Sequence, residues 1–214
     1  MTIQYHKSGD YYLPNLTIED QKTQALGKYG RMRKRYLKEY CPVLYSNMLL
    51  EGKLFQHLAE TDQACEERME LIIRQMEALA EASTDPIPVM ANVSALLFYS
   101  MEDLNWAGFY LVKDGALILG PFQGKVACVR IEKGRGVCGT AWAEDKVLLV
   151  PDVHAFPGHI ACDSASRSEI VVPIHRNGEV WAVLDIDSPI LARFSDEDRA
   201  GLVELVQSME QILK

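Results

Sequence analysis

The feature that most constrains the fold is a hairpin in the second half of the chain. Two largely apolar runs, residues 169–175 and 180–186, flank the pair Asn177-Gly178. An Asn-Gly pair supplies the positive φ angles that a tight turn between antiparallel strands requires. Asp114-Gly115 follows the alternating stretch 106–112 and predicts a second hairpin. The chain is therefore expected to contain an antiparallel sheet.

Helical patterns surround these hairpins. Apolar residues recur at helical spacing in residues 61–82 and 195–212, and residues 87–101 are apolar enough for a buried helix. Ser195 with Asp198, and Thr17 with Asp20, resemble helix-capping boxes. Further strand candidates lie at residues 125–131 and 146–150. Hairpins between flanking helices predict an α+β fold with a mostly antiparallel sheet.

Charge divides the chain into two pieces. Residues 1–50 carry eight Lys/Arg against four Asp/Glu, whereas residues 51–214 carry fourteen against twenty-six. We therefore predict a helical segment over residues 1–70 and a separate domain over residues 71–214. No apolar run approaches the roughly 20 residues of a membrane-spanning helix, and the N-terminus lacks the pattern of a signal peptide. A cytoplasmic protein that does not contact the membrane is expected.

Five cysteines at irregular spacing do not form a disulfide framework, so reduced thiols are expected. Cys41 and Cys65 have no chemical partner nearby in the sequence and are predicted to be inert. Cys128 falls in the candidate strand 125–131. Cys138 lies in a glycine-rich segment that could begin a helix, and a helix N-terminus lowers the pKa of a thiol.

Cys162 lies in a polar segment, three residues after His159. A Cys–His nucleophile pair and a free loop cysteine both fit this pattern. A Cys₃His zinc site formed from Cys128, Cys138, Cys162 and His159 was also considered. Because no close Cys-x-x-Cys spacing supports that site, no metal is predicted.

Two acidic residues stand at the end of the second hairpin. Asp185 and Asp187 are two positions apart, so both side chains point to the same face of the strand. Two carboxylates on one face could bind an ammonium group or act as a general acid. A solvated strand end is the other reading.

Several segments in residues 71–214 together resemble one family, the free methionine-(R)-sulfoxide reductases, which are single GAF-domain enzymes. The resemblance implies that residues 71–214 form a GAF domain, and the α-helical segment predicted above would precede it as an N-terminal extension. The segments that carry it are Asn105–Tyr110, Gly120–Gly124, Gly134–Ala141, Gly158–Asp163 and Leu184–Ser188.

The resemblance also implies a role for each matching residue. Cys162 would be the catalytic cysteine, Cys128 the main resolving cysteine and Cys138 a secondary one. Aromatic residues would wall the pocket, and acidic residues would bind the substrate and protonate the sulfoxide oxygen. The implied aromatic residues are Trp106 and Tyr110, and the implied acidic residues are Glu169, Asp185 and Asp187.

The implied reaction is the reduction of free L-methionine-(R)-S-oxide through a Cys162 sulfenic acid and an intramolecular disulfide. Thioredoxin would reduce the disulfide, no cofactor would be needed, and a homodimer is implied as the assembly. A GAF-type sensor of a small ligand, with redox-active cysteines, is the alternative from a different functional class.

Residues 3–76 resemble the transposon-encoded TnpV proteins, on segments that include Tyr11–Thr17 and Gly27–Glu39. The basic stretch within residues 28–38 could contact nucleic-acid phosphates, as a DNA-associated transposon protein would. A solvated helix face explains the same charges, and the sequence leaves both readings open.

Overall fold

The computed structural model describes residues 5–8, 11–14, 26–160 and 163–213, with the backbone alone for the first two ranges. The chain divides into two compact units, residues 1–60 and residues 61–214. This division precedes the predicted boundary at residue 70. No helix of the described ranges is long and apolar enough to span a membrane.

The first unit begins with a short antiparallel pair, β1 (Tyr5–Ser8) and β2 (Tyr11–Pro14). Only helices were expected here, because strands of four residues are too short to show alternation. The helices follow as α1 (Lys28–Tyr40), α2 (Pro42–Leu50) and α3 (Leu54–Ala80). Pro42 occupies the first turn of α2, where the N–H that proline lacks would have no partner within the helix. The predicted cap at Thr17 lies outside the described residues.

The second unit contains a six-stranded, fully antiparallel sheet, and α3 continues into this unit. The strands run in the order β5-β4-β3-β8-β7-β6. Its remaining elements are α4 (Pro86–Ser100), β3 (Trp106–Lys113), β4 (Ala116–Gly124), β5 (Arg130–Glu132), α5 (Gly136–Glu144), β6 (Leu148–Val150), β7 (Ser168–Arg176), β8 (Glu179–Ser188) and α6 (Asp196–Ile212).

Both predicted hairpins are present. Asn177 and Gly178 form the turn between β7 and β8 with φ angles of 54° and 81°. Glycine adopts positive φ angles freely, and asparagine adopts them more readily than most other residues. Asp114-Gly115 joins β3 to β4 in the same way. The capping box of Ser195 and Asp198 begins α6, also as predicted.

The predicted strand over residues 125–131 is wrong for most of its length, because β5 begins only at Arg130. The pairing of β4 with β5 ends at Ile118 and Arg130, followed by one further bond from the Leu119 amide to the Val129 carbonyl. Pro121 has no N–H to donate further along β4. Cys128 therefore lies in a loop and not on a strand face.

The sheet has two chemically different faces. One face packs against α3, α4 and α6 and forms the larger core, with Phe109, Val172 and Leu184 among its buried residues. The other face packs against α5, and its apolar part includes Val171 and Val183. Neighbouring residues of a strand point to opposite faces of the sheet. The polar residues that alternate along the strands with the larger core's residues therefore point toward α5.

Candidate active site

The sheet register brings five predicted site residues together on the α5 face. Glu169 of β7 is opposite Asp187 of β8, and Asp187 is in turn opposite Trp106 of β3. Asp185 and Tyr110 follow on the same face at alternating positions. These five residues line a cavity of about 40 Å³. The prediction that Asp185 and Asp187 point to one side of the strand is confirmed.

Helix α5 adds the thiol of Cys138 to this cavity. Cys138 is the third residue of α5, and 4% of its surface is exposed. Its Sγ donates a hydrogen bond to Glu169 Oε1 over 3.7 Å. The predicted helix start in the glycine-rich segment is therefore confirmed, and it places a thiol beside the carboxylates.

The expected lowering of the Cys138 pKa is wrong. Burial raises this pKa well above its ordinary value, and the negative charges of Asp185 and Glu169 raise it further. A helix N-terminus contributes only a partial positive charge, and the sequence did not reveal that two carboxylates face this thiol. Cys138 is therefore a protonated thiol at neutral pH and a weak nucleophile.

The pKa of each of the three carboxyl groups is raised, but not to the same extent. Burial raises the pKa of Asp185 to about 6, while its hydrogen-bond interactions with Cys138 and Glu169 limit the rise. Burial raises the pKa of Glu169 and of Asp187 well above the usual range, and in both cases the Asp185 charge raises it further. The three groups therefore do not all ionise together in the neutral range, and Asp185 loses its proton more readily than Glu169 or Asp187.

Aromatic rings form one wall of the cavity. The Trp106 ring stacks on Tyr110 with centroids 5.8 Å apart, and on Phe122 with centroids 5.3 Å apart. Gly108 makes this packing possible, since a Cβ at that position would lie 2.3 Å from Phe122 Cβ. Burial raises the Tyr110 pKa, so its phenol stays neutral. The contact of Phe122 with Trp106 was not predicted from the sequence, because the position of Phe122 gave no polar or catalytic signal.

A network around Asp163, the residue after Cys162 in the sequence, fixes one edge of the cavity. Its carboxylate accepts hydrogen bonds from the Ala165 amide (2.9 Å) and Asn105 Nδ2 (3.0 Å), and these bonds lower its pKa. Lys125 Nζ lies 3.6 Å from the same carboxylate, and Asn105 also donates to Ser166 Oγ. This network was not predicted from the sequence, although an Asp whose carboxylate accepts a hydrogen bond from the backbone amide two residues later is a common turn pattern.

We predict that Asp163→Ala loosens this edge. Loss of the carboxylate removes the contacts to Ala165 and Asn105 together, so hydrogen exchange of amides 164–167 should accelerate about tenfold. The matched control is Asp152→Ala, because Asp152 also accepts from a backbone amide two residues on, that of His154 (3.0 Å). Equal protection of amides 164–167 in the parent and in Asp163→Ala would contradict the prediction.

The cysteines are in two redox states. Cys128 is disulfide-bonded, whereas Cys41, Cys65 and Cys138 carry free thiols. Cys162 lies outside the described residues. A disulfide sulfur does not serve as a thiolate ligand, so Cys128 is not available to a Cys₃His zinc site in this state.

Comparison with known protein families identifies the domain that contains this pocket. The family model for the GAF domain matches residues 63–213, and the model "Transposon-encoded protein TnpV" matches residues 4–94. The folded second unit is a GAF domain.

Individual relatives narrow the class. The chain is 54% identical over 140 residues to a free methionine-R-sulfoxide reductase of Escherichia coli, and the aligned region covers 65% of this chain and 85% of the relative. It is 52% identical over 159 residues to Protein YtsP of Bacillus subtilis, covering 73% of this chain and 98% of that protein.

Solved structures agree with these relatives. The fRMsr of Staphylococcus aureus in its reduced form superposes with a TM-score of 0.66 at 48% identity, covering 68% of this chain and 95% of that one. The free methionine-R-sulfoxide reductase from Neisseria meningitidis, in complex with its substrate, gives 0.65 at 44% identity, covering 68% and 87%. The chain belongs to the free methionine-R-sulfoxide reductase family of GAF-domain proteins.

Proposed function

We propose that this protein reduces free L-methionine-(R)-S-oxide to L-methionine with Cys162 as the nucleophile. The observation that carries the proposal is the buried pocket in which the carboxyl groups of Asp185 and Glu169 lie together, walled by Trp106 and Tyr110. Burial and the Asp185 charge raise the pKa of Glu169 above that of an ordinary glutamic acid. Such a pocket offers an anion for the substrate ammonium group, an acid for the sulfoxide oxygen and an apolar wall for the methyl group.

The first step is oxygen transfer. The Cys162 thiolate attacks the sulfoxide sulfur while Glu169 or Asp187 donates a proton to the oxygen. The S–O bond breaks as the protonated oxygen leaves the methionine sulfur as hydroxide. The hydroxide then adds to the Cys162 sulfur and displaces methionine, so the methionine sulfur is reduced and Cys162 is oxidised to the sulfenic acid. A general acid is required because an unprotonated oxide is a poor leaving group, and the raised pKa of both carboxyl groups favours this role.

The second step is resolution. The Cys128 thiol condenses with the sulfenic acid, which releases water and forms a disulfide with Cys162. The disulfide-bonded state of Cys128 supports it as the resolving cysteine, and the raised pKa of Cys138 supports a lesser role for that thiol. A thioredoxin dithiol would restore both cysteines by exchange, in the cytoplasm and without any cofactor.

The test supplies each sulfoxide epimer of free methionine to the full chain, with thioredoxin, its reductase and NADPH. Turnover of the R epimer alone is expected, and a peptide-bound sulfoxide should not react. Failure of folded protein to turn over either epimer would contradict the proposal and favour a ligand-sensing GAF domain. Gel filtration of the same sample would test the expected homodimer.

Helix α1 supports a second candidate function, which is binding of nucleic acid by the first unit. Four of its cations, Arg31, Arg33, Lys34 and Lys38, have no ion pair with a carboxylate of the described residues. Tyr36 and Tyr40 are exposed on the same helix. Unpaired cations beside exposed rings suit phosphates and bases.

We predict salt-dependent binding of double-stranded DNA to the full chain. Replacing Arg31 and Lys38 by Gln should lower the slope of log affinity against log salt by about 2, because each phosphate contact contributes about 0.9. The control with equal charge change is Lys113→Gln with Lys146→Gln in the second unit. Fluorescence anisotropy across a salt series measures the slope, and an equal loss in both double variants would contradict the prediction.

A further inference from the structure

The thiol and two of the carboxyl groups in the pocket are arranged as metal ligands would be. One ligand atom from each of Cys138, Glu169 and Asp185 lies within 4.8 Å of the others, and Cys138 Sγ is 3.7 Å from Glu169 Oε1. In tetrahedral zinc sites, Zn–S bonds of about 2.3 Å and Zn–O bonds of about 2.1 Å separate the ligand atoms by roughly 3.5 Å. Small side-chain shifts would therefore complete a three-ligand site.

An unpartnered atom points to a missing ligand at the same place. Asp185 is 6% exposed, yet its Oδ1 has no hydrogen-bond partner among the described residues. A buried oxygen without a partner is costly, and a cation would satisfy it. The adjoining cavity of about 40 Å³ has room for an ion with bound water.

We propose that Zn²⁺ binds to Cys138 Sγ, Glu169 and Asp185 while Cys128 is held in its disulfide. Sulfur and carboxylate oxygen together suit zinc among the common divalent ions. The thiol and carboxyl protons leave to solvent as the ion binds, and the double positive charge offsets the repulsion between the buried anions. These three zinc ligands share only Cys138 with the Cys₃His site that the sequence pattern suggested and the cysteine spacing did not support.

The ion acts as an inhibitor rather than as a cofactor. It binds the disulfide form, which awaits the thioredoxin dithiol rather than the sulfoxide, so zinc should lower turnover at saturating substrate rather than compete with the substrate for the reduced enzyme. That consequence alone rests on the proposed function, whereas binding of the ion does not.

The test uses the oxidised full chain in a Cys41→Ser/Cys65→Ser background, which removes the other two free thiols of the described residues. Co²⁺ replaces zinc as a probe, because a thiolate–cobalt bond absorbs in the near ultraviolet. An absorption band that Zn²⁺ abolishes is expected in this background, and its loss is expected after Cys138→Ser. Glu169→Gln, which keeps the side-chain shape, should weaken cobalt binding at least tenfold.

Two outcomes would overturn the proposal. One is the absence of a thiolate band in the background protein, and the other is a band of unchanged affinity in folded Cys138→Ser. If that variant does not fold, unchanged affinity in Glu169→Gln overturns it instead. Because absorption requires no turnover, a failed reductase assay with a retained cobalt band would refute the proposed function and leave the metal site standing.

Discussion

Cys162→Ser is expected to lower the rate of methionine-(R)-S-oxide reduction by roughly three orders of magnitude or more, because a serine hydroxyl is a far weaker nucleophile toward sulfur and cannot form the sulfenic acid. The measurement is methionine release with the thioredoxin system. Substrate affinity should change little, since the pocket is formed by Trp106, Tyr110 and the carboxyl groups.

Two companion variants sharpen this result. Cys65→Ser alters a free thiol to which we assign no role in the reaction and should leave the rate unchanged. Cys128→Ser should release about one methionine per chain without reductant and then accumulate a Cys162 sulfenic acid, which dimedone traps. Substantial turnover by Cys162→Ser, or trapping of the sulfenic acid at another cysteine, would show that the nucleophile is assigned wrongly.

Glu169→Gln is expected to lower kcat about 10²- to 10⁴-fold, the usual contribution of a general acid. Burial and the Asp185 charge raise the pKa of Glu169 well above its ordinary value, so the group loses its proton only as pH rises through the raised pKa. Activity of the parent should therefore decline on the alkaline side, and the variant should lack this decline. The measurement is kcat as a function of pH.

Stability gives an independent measure of the same proton. A raised pKa means that the folded state holds a proton which the unfolded state has released, so the free energy of unfolding falls as pH rises between the two pKa values. Urea unfolding of Glu169→Gln should show a smaller fall than the parent.

Glu179→Gln, at the exposed start of β8, is the matched control and should change neither profile. An unchanged pH–kcat profile in Glu169→Gln would instead assign proton donation to Asp187.

The parts of the fold that were predictable are those set by local chemistry. Asn177-Gly178 and the Ser195 capping box act within a few residues, so the sequence alone located the last hairpin and α6. The β5 strand was predicted too long because its end depends on Pro121 in a neighbouring strand, which is a non-local effect.

The same distinction separates the site residues. The spacing of Asp185 and Asp187 was enough to place them on one face, whereas the roles of Trp106, Tyr110 and Glu169 came only through the family resemblance. The pKa of Cys138 was predicted in the wrong direction because its carboxyl neighbours come from β7 and β8, about 30 to 50 positions away in the chain. Asn105 and Phe122 act only through contacts that the folded sheet creates.

Glu169, Asp187 and Trp106 form a row across three strands. The strand register that aligns this row also places the core residues of β8 on the opposite face, so the site and the core depend on the same register. A one-residue slip of β8 would turn both aspartates toward the helices that cover the opposite face and would expose Leu184 and Ile186 to the pocket. Single-residue insertions in β8 should therefore be eliminated by selection for folding alone. Amino-acid changes in this lineage are therefore expected to accumulate in the loops and in the N-terminal unit, while the row of Glu169, Asp187 and Trp106 is retained.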